Sequence, residues 1–207
     1  MSFVFTDQQL RQLGERGFVV VDHLVDAAAA TAARDAAVDL VNARALRPAG
    51  VSRAHENAPA VRGDLTTFLD EAALADGFVD VVAALHRVQM ALREQAWLTL
   101  HRREFQLGCF PGGGAGYTRH RDAFRGAVGV MGHRRVTVVL WLNPQWEPEH
   151  GGCLRCYHHD SDDDDGAFVD VEPLLGRAIV FMSEQIEHAV LPSFASRFAL
   201  TLWLSHA

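Results

Sequence analysis

Arg197-Phe-Ala-Leu-Thr-Leu-Trp-Leu204 is the stretch on which the fold turns. Its even positions, Phe198, Leu200, Leu202 and Leu204, are all large and apolar, whereas its odd positions are Arg197, Ala199, Thr201 and Trp203. A period of two places those sets on opposite faces of a strand. Three further short β-type runs precede it, Phe105–Phe110, Val136–Leu142 and Ala178–Met182, separated by glycine, proline and acidic turns. The first half of the chain has a different rhythm. Thr6-Asp-Gln-Gln9 has the form of a capping box, and the helix it opens is expected to stop near Gly17. Phe18–Val21 reads as a short strand, and Asp26 caps an alanine-rich helix over Ala27–Leu46. Arg47–Asp64 lacks periodicity and reads as a loop. A second long helix is expected over Phe78–Ala96, with Val79, Val82, Leu85, Val88, Met90 and Leu92 as its apolar positions. Helices first and strands after, without β–α alternation, indicate an α+β chain with an antiparallel sandwich or barrel.

Composition sets the outer bounds. The chain has 207 residues, 49% of them apolar and 22% charged, which is enough to bury a full core and is incompatible with wholesale disorder. A net charge of -7 argues against a nucleic-acid or acidic-membrane partner. No apolar run approaches the ~20 residues of a membrane span. The N-terminal residues lack a basic segment followed by a long apolar one, so no secretory signal is read. Three cysteines are too few for a disulfide framework and suit a reducing compartment, so a cytoplasmic location is expected.

The chemistry-bearing residues lie in the second half. His120-Arg-Asp122 follows the glycine-rich Pro111-Gly-Gly-Gly-Ala-Gly116, and on a strand residues i and i+2 share a face. His188 follows at the end of a loop after the Arg177–Met182 strand. Two imidazoles and one carboxylate are the ligands of the facial triad, which leaves open positions on a non-haem Fe(II). In a chain with 11 histidines an H-x-D alone is a weak signal, and its context strengthens it. Arg197, nine residues after His188, shares a strand face with small residues, which suggests a cavity for a carboxylate that a guanidinium fork suits.

Several segments taken together carry a resemblance: Cys109-Phe-Pro-Gly-Gly-Gly-Ala-Gly-Tyr-Thr-Arg-His120-Arg-Asp122, Arg134-Arg-Val-Thr-Val-Val-Leu-Trp-Leu-Asn143, Gly151-Gly-Cys-Leu-Arg155, Asp170-Val-Glu-Pro173, His188-Ala-Val and Arg197-Phe-Ala-Leu-Thr-Leu-Trp203. In order and spacing they resemble the Fe(II)/2-oxoglutarate-dependent prolyl hydroxylases, in particular the hypoxia-inducible-factor prolyl hydroxylase branch and its bacterial relatives. The likeness runs from Arg103 to Ser205, with an echo upstream at Val61-Arg-Gly-Asp64.

The resemblance implies a single oxygenase domain over 1–207 with a double-stranded β-helix, a jelly-roll-like core. Residues 1–100 would be helical support and a substrate-loop region, and residues 101–207 the catalytic β-core. It implies Fe(II) held by His120, Asp122 and His188, with Arg197 pairing with the distal carboxylate of 2-oxoglutarate. Thr137, Val139, Trp141, Leu154, Val190 and Phe110 would line the co-substrate pocket. Asp64 and Arg134 match a charged pair where that branch receives its polypeptide, and Arg62, Tyr117 and Trp203 join them as substrate-side residues. O2 would be the second co-substrate and ascorbate an accessory reductant. Two departures stand out: Trp141 and Phe110 occupy positions where the family has tyrosines, which leaves Arg197 with less help in holding the carboxylate.

The intact carboxylate of Asp122 points to hydroxylation, because halogenases of this superfamily lack it to make room for chloride. The expected reaction is hydroxylation of a prolyl residue in a protein, coupled to decarboxylation of 2-oxoglutarate to succinate. Two alternatives stay open: a hydroxylase of a free amino acid or other small molecule, and a non-catalytic metal-binding sensor of the same fold. Other signals read as structural. Ser161–Glu172 nearly fits a calcium loop but is expected to be a solvated hairpin, with His158 and His159 exposed beside it. Cys153-x-x-Cys156 lacks a second cysteine pair and is not taken as a zinc half-site, and Cys109 reads as a packed core thiol.

Overall fold

The computed structural model describes residues 3–50, 61–123, 133–157 and 167–206. Three α-helices and eleven strands are formed there: α1 Asp7–Arg16, β1 Phe18–Val21, α2 Ala27–Asn42, β2 Arg47–Pro48, β3 Leu65–Leu69, α3 Val79–Gln95, β4 Arg102–Phe110, β5 Ala115–His120, β6 Arg134–Trp141, β7 Leu154–Tyr157, β8 Phe168–Val171, β9 Ala178–Met182, β10 His188–Ser193 and β11 Arg197–Ser205. The strands form a seven-stranded sheet in the order β1-β9-β6-β11-β4-β3-β2 and a four-stranded sheet in the order β5-β10-β7-β8. From β4 onward the chain passes back and forth between the two sheets, and every pairing is antiparallel. This is the double-stranded β-helix, as expected.

Two cores follow from strand alternation. Phe198, Leu200, Leu202 and Leu204 of β11 join Val136, Val138 and Leu140 of β6 in a core shared with α2 and α3. The opposite face supplies Ala199, Val139, Trp141, Ile179 and Phe181 to a second core between the sheets, closed by Leu154 and Val190. A sheet covered on both faces must be apolar at every second position on each side. That is why β6 reads as a continuous apolar run from Val138 to Trp141 rather than an alternating one.

The helices form largely where the sequence places them. Thr6 and Gln9 make the reciprocal capping box, and Gly17 ends α1 with φ 77, a left-handed conformation that glycine adopts freely. Asp26 caps α2 through the Ala29 backbone N–H. The helix stops at Asn42, short of Leu46, because Arg44 turns the chain with φ 56. Along α3, Val82, Leu85, Val88 and Leu92 are buried as expected, whereas Val79 and Met90 are exposed. The first hundred residues also give more than helical support, since β1, β2 and β3 extend the larger sheet. Of the Arg47–Asp64 loop, Arg47–Pro48 pairs with β3 and Arg62 bridges to Tyr117; residues 51–60 lie outside the described part. The segment resembling a calcium loop, with His158 and His159, lies mostly outside it too.

One buried amide ties the helical layer to the strand that carries Arg197. The Asn143 Nδ2 donates to the Pro173 and Phe198 carbonyls at 2.9 and 3.1 Å. Its Oδ1 accepts from the Phe198 backbone N–H at 2.7 Å and from Arg34 of α2 at 3.1 Å. Replacing Asn143 with alanine removes all four hydrogen bonds and strands the buried Phe198 N–H, although the Phe198 carbonyl keeps the Leu142 N–H and Arg34 keeps the Leu142 carbonyl. Asn143→Ala is expected to lower the unfolding free energy by about 2–4 kcal/mol, measured by chemical denaturation.

Candidate metal centre

His188 opens β10 and sits directly opposite His120, the last residue of β5, in the antiparallel register. Their rings lie 4.3 Å apart between centroids. Asp122 falls in the bend just after β5 rather than on the strand, and its Oδ1 lies 3.7 Å from His120 Nε2 and 3.8 Å from His188 Nε2. One ligand atom from each of the three residues falls within 4.8 Å of the others. Such a cluster can share one divalent cation, leaving the remaining coordination positions for small ligands.

The surroundings orient each ligand. His120 Nδ1 lies 2.8 Å from the Thr118 carbonyl and His188 Nδ1 3.3 Å from that of Ile186. A carbonyl can only accept, so both Nδ1 atoms donate and both Nε2 atoms are turned toward Asp122. Burial, followed by repulsion from His188, pushes the His120 pKa down to about 4, so the imidazole is neutral and ready to ligate at ordinary pH. Tyr117 stacks on His120 at 3.6 Å with the planes 19° apart, which fixes that ring.

Asp122 has its two oxygens assigned separately. Oδ2 accepts from the Thr137 hydroxyl at 2.8 Å and the Trp203 indole N–H at 3.0 Å, which leaves Oδ1 between the histidines. With its proton given to Asp122, the Thr137 oxygen accepts in turn from Ser183 at 2.8 Å. Burial alone raises the Asp122 pKa. The electrostatic attraction of the adjoining His188 and His120 rings and the two donated hydrogen bonds outweigh it and hold the carboxyl below its usual value.

Arg197 is 2% exposed, and its Nε donates to the Gly152 carbonyl at 2.8 Å. Gly152 has φ +66, and a Cβ there would come within 3.0 Å of Arg197 Cδ, so this carbonyl is brought in by a residue that must be glycine. The Arg197 Nη2 is buried without a hydrogen-bond partner, and burial lowers its pKa to about 10. Among the described residues no carboxylate pairs with it. A guanidinium enclosed without a counter-charge is costly, and an anionic ligand entering the chamber would relieve it. Val139, Leu154, Val190, Phe110 and Trp141 form the apolar lining of the same core.

The residues expected on the substrate side fall into two clusters. Arg62 grips Asp64 through two hydrogen bonds, at 2.6 and 3.0 Å, reaches Gln106 at 3.3 Å and lies over the Tyr117 ring. Arg134 lies 3.5 Å over the Trp203 ring and pairs with Glu104 at 3.6 Å. The expected Asp64–Arg134 pair is therefore replaced by two others, because Arg62, two residues away in sequence, already saturates Asp64. Thr137 and Trp203 also differ from expectation: the threonine is fully buried on Asp122 rather than lining an open pocket, and the indole holds a metal-side carboxylate. Ser183, Gly152 and Gln106 carry no sequence signal for these roles, although Gly151-Gly152 already stands out as a doublet. Cys109 is a buried free thiol whose pKa burial pushes up to about 11, as a packed core cysteine should be.

One double-stranded β-helix thus carries both a His-Asp-His cluster able to hold a metal ion and a buried arginine. Residues 105–205, just under half of the chain, match the profile of the 2OG-Fe(II) oxygenase superfamily. The chain is similar to prolyl hydroxylase EGLN3 of Mus musculus, with 32% identity over 161 residues, 75% of this chain and 61% of that protein. The chain thus spans about three fifths of that relative's length. It is also similar to the hypoxia-inducible factor prolyl hydroxylase of Caenorhabditis elegans, with 32% identity over 104 residues, 49% of this chain and 13% of that protein. The crystal structure of a Pseudomonas putida prolyl-4-hydroxylase matches with a TM-score of 0.81 at 29% identity, covering 97% of this chain and 98% of that one.

Trp203→Phe keeps the ring under Arg134 and deletes the N–H on Asp122, and Thr137→Val deletes the other donor. Each is expected to weaken Mn(II) binding by roughly tenfold or more in calorimetric titration. Thermal stability should change less than it does on loss of Asn143.

Proposed function

We propose that the protein is an Fe(II)- and 2-oxoglutarate-dependent dioxygenase that hydroxylates a prolyl residue in a protein substrate. The observation that carries this reading is the pairing of two features within one chamber. Two imidazole nitrogens and one carboxylate oxygen converge, and the inter-sheet core beside them holds a buried guanidinium with an unused N–H. His120, Asp122 and His188 would hold Fe(II), and Arg197 would take the distal carboxylate of 2-oxoglutarate. Bound there, Fe(II) with 2-oxoglutarate and O2 supplies the oxidation that converts a substrate C–H to C–OH while 2-oxoglutarate becomes succinate and CO2.

The chain's own residues do the rest. Trp203 and Thr137 hold Asp122 Oδ2, so that Oδ1 faces the metal position. Val139, Leu154 and Val190 keep water away from the co-substrate, which protects a reactive centre from unproductive reduction. The Arg62–Asp64–Tyr117 cluster abuts His120 on one side, and the Arg134–Trp203 stack abuts Asp122 on the other. Together they make a polar and aromatic rim suited to a peptide. The names of the similar mouse and nematode proteins support a protein as the substrate. Three free cysteines and the absence, among the described residues, of a helix long and apolar enough to cross a membrane support a cytoplasmic setting.

Succinate release in the presence of Fe(II), 2-oxoglutarate and proline-containing peptides tests the reading, together with a +16 mass shift on the peptide. The activity is expected to fall at least a hundredfold in Arg197→Ala and in Asp122→Ala. A +16 shift on free proline with none on any peptide would move the substrate to small molecules. No succinate under any condition would overturn the assignment as an oxygenase.

A further inference from the structure

The smaller sheet has a weak seam at the point where it carries the two imidazoles. β5 and β10 meet at His120 and His188, and their ladder breaks register twice on the way to Ser193. β11 and β4, by contrast, pair over nine residues without a slip. The seam also ends at the histidines, since Arg121 lies beyond the last residue of β5 and Glu187 before the first of β10. Each ring is packed separately, His120 against Tyr117 and His188 beside Phe181 at 4.7 Å. Their mutual spacing therefore depends on the two strand ends.

One carboxylate joins those ends on the outer face, where strand alternation turns Arg119, Arg121 and Glu187 away from the imidazoles. Glu187 Oε2 accepts from Arg119 Nε at 2.6 Å, and Oε1 pairs with Arg121 Nη1 at 2.8 Å. The Arg119 guanidinium also lies 4.0 Å over the Tyr157 ring, and the Tyr157 backbone N–H donates to the Glu187 carbonyl at 2.9 Å, so β7 braces both partners.

We propose that Glu187 is a positioning residue for the metal centre: by gripping the arginines on either side of His120, its carboxylate staples that imidazole to His188, its own neighbour in the chain. The proposal rests on the reading of His120, Asp122 and His188 as metal ligands. Arg121 stands between His120 and Asp122, so the same ion pair also limits where the Asp122 backbone can move. Charge alone does not account for the arrangement. Two arginines and one glutamate leave a net positive charge, which repels a divalent cation. The three side chains are partly buried, so water weakens the attraction among them without erasing it.

The sign of one substitution separates a staple from a field. In calorimetric titration of the metal-free protein with Mn(II), Arg121→Met is expected to weaken binding roughly three- to tenfold, less than loss of a group bonded directly to a ligand. A field effect would strengthen binding, because a cation is removed. Arg119→Met is expected to act in the same direction and gives the same reading should Arg121→Met fail to fold. Glu187→Ala frees both arginines and is expected to cost about tenfold or more. With the staple already gone in Glu187→Ala, adding Arg121→Met should lower affinity no further. The visible absorption bands of the Co(II)-loaded protein should shift in Glu187→Ala, because they follow the arrangement of the ligands. Affinity unchanged or raised by the arginine substitutions, an equal loss from Arg121→Met in both backgrounds, or unmoved Co(II) bands would overturn the proposal and leave the metal centre intact. Failure of the unaltered protein to bind Mn(II) would overturn both. Staple-dependent Mn(II) binding without any succinate release would remove the oxygenase reading and leave the positioning role of Glu187 standing.

Discussion

A cation enclosed in an apolar chamber is the constraint around which this molecule is arranged. Arg197 cannot leave, because Gly152 anchors its Nε and the neighbouring Phe198 is locked by Asn143. Nor can it be neutralised cheaply, since an arginine keeps its proton at any physiological pH even when burial lowers its affinity for it. The fold therefore maintains a standing electrostatic demand between the two sheets. Strand β11 makes this possible by having two characters. One face is four apolar side chains packed against the helical layer, and the opposite face carries the charge and the residues around it.

That dual character explains which parts of the structure the sequence announces. β11, β6, β9 and the helices are written in periodicity and caps, because each buries a face against a large partner. β5 and β10 are not, although they carry two of the three metal-side residues. Ala115–His120 is mostly glycine, polar and charged residues, and His188–Ser193 begins with a ligand and holds a proline, so neither shows an apolar rhythm. Strands recruited to furnish a site lose the pattern by which strands are recognised. His120, Asp122, His188 and Arg197 could still be found, because chemistry restricts residue type there more than packing does. The supports were harder. Nothing about Thr137 in a β-branched run distinguishes a hydroxyl on a carboxylate from one on solvent, and Ser183 has no distinguishing neighbours at all.

Asp122 illustrates a division of labour on a single functional group. One oxygen is committed to two donors from different strands and the other is turned toward the imidazoles. A carboxylate free to rotate would present either oxygen, or both, and the geometry at the cation would vary from molecule to molecule. Trp203 and Thr137, paired across β11 and β6, remove that freedom by both holding the same oxygen. The same two hydrogen bonds add to the attraction of His188 and His120 in holding the carboxyl below its usual pKa despite its burial, so orientation and charge state share a cause.

The stack of Tyr117 on His120 has a consequence for the segment around Arg62. The guanidinium lies over the phenol ring and is clamped to Asp64, while the backbones of Arg62 and Tyr117 pair directly. Three flat groups are thus piled like plates, guanidinium on phenol on imidazole, with the lowest plate set at the metal position. Whatever displaces the Arg62 segment therefore also disturbs the packing on a ring set at the metal position.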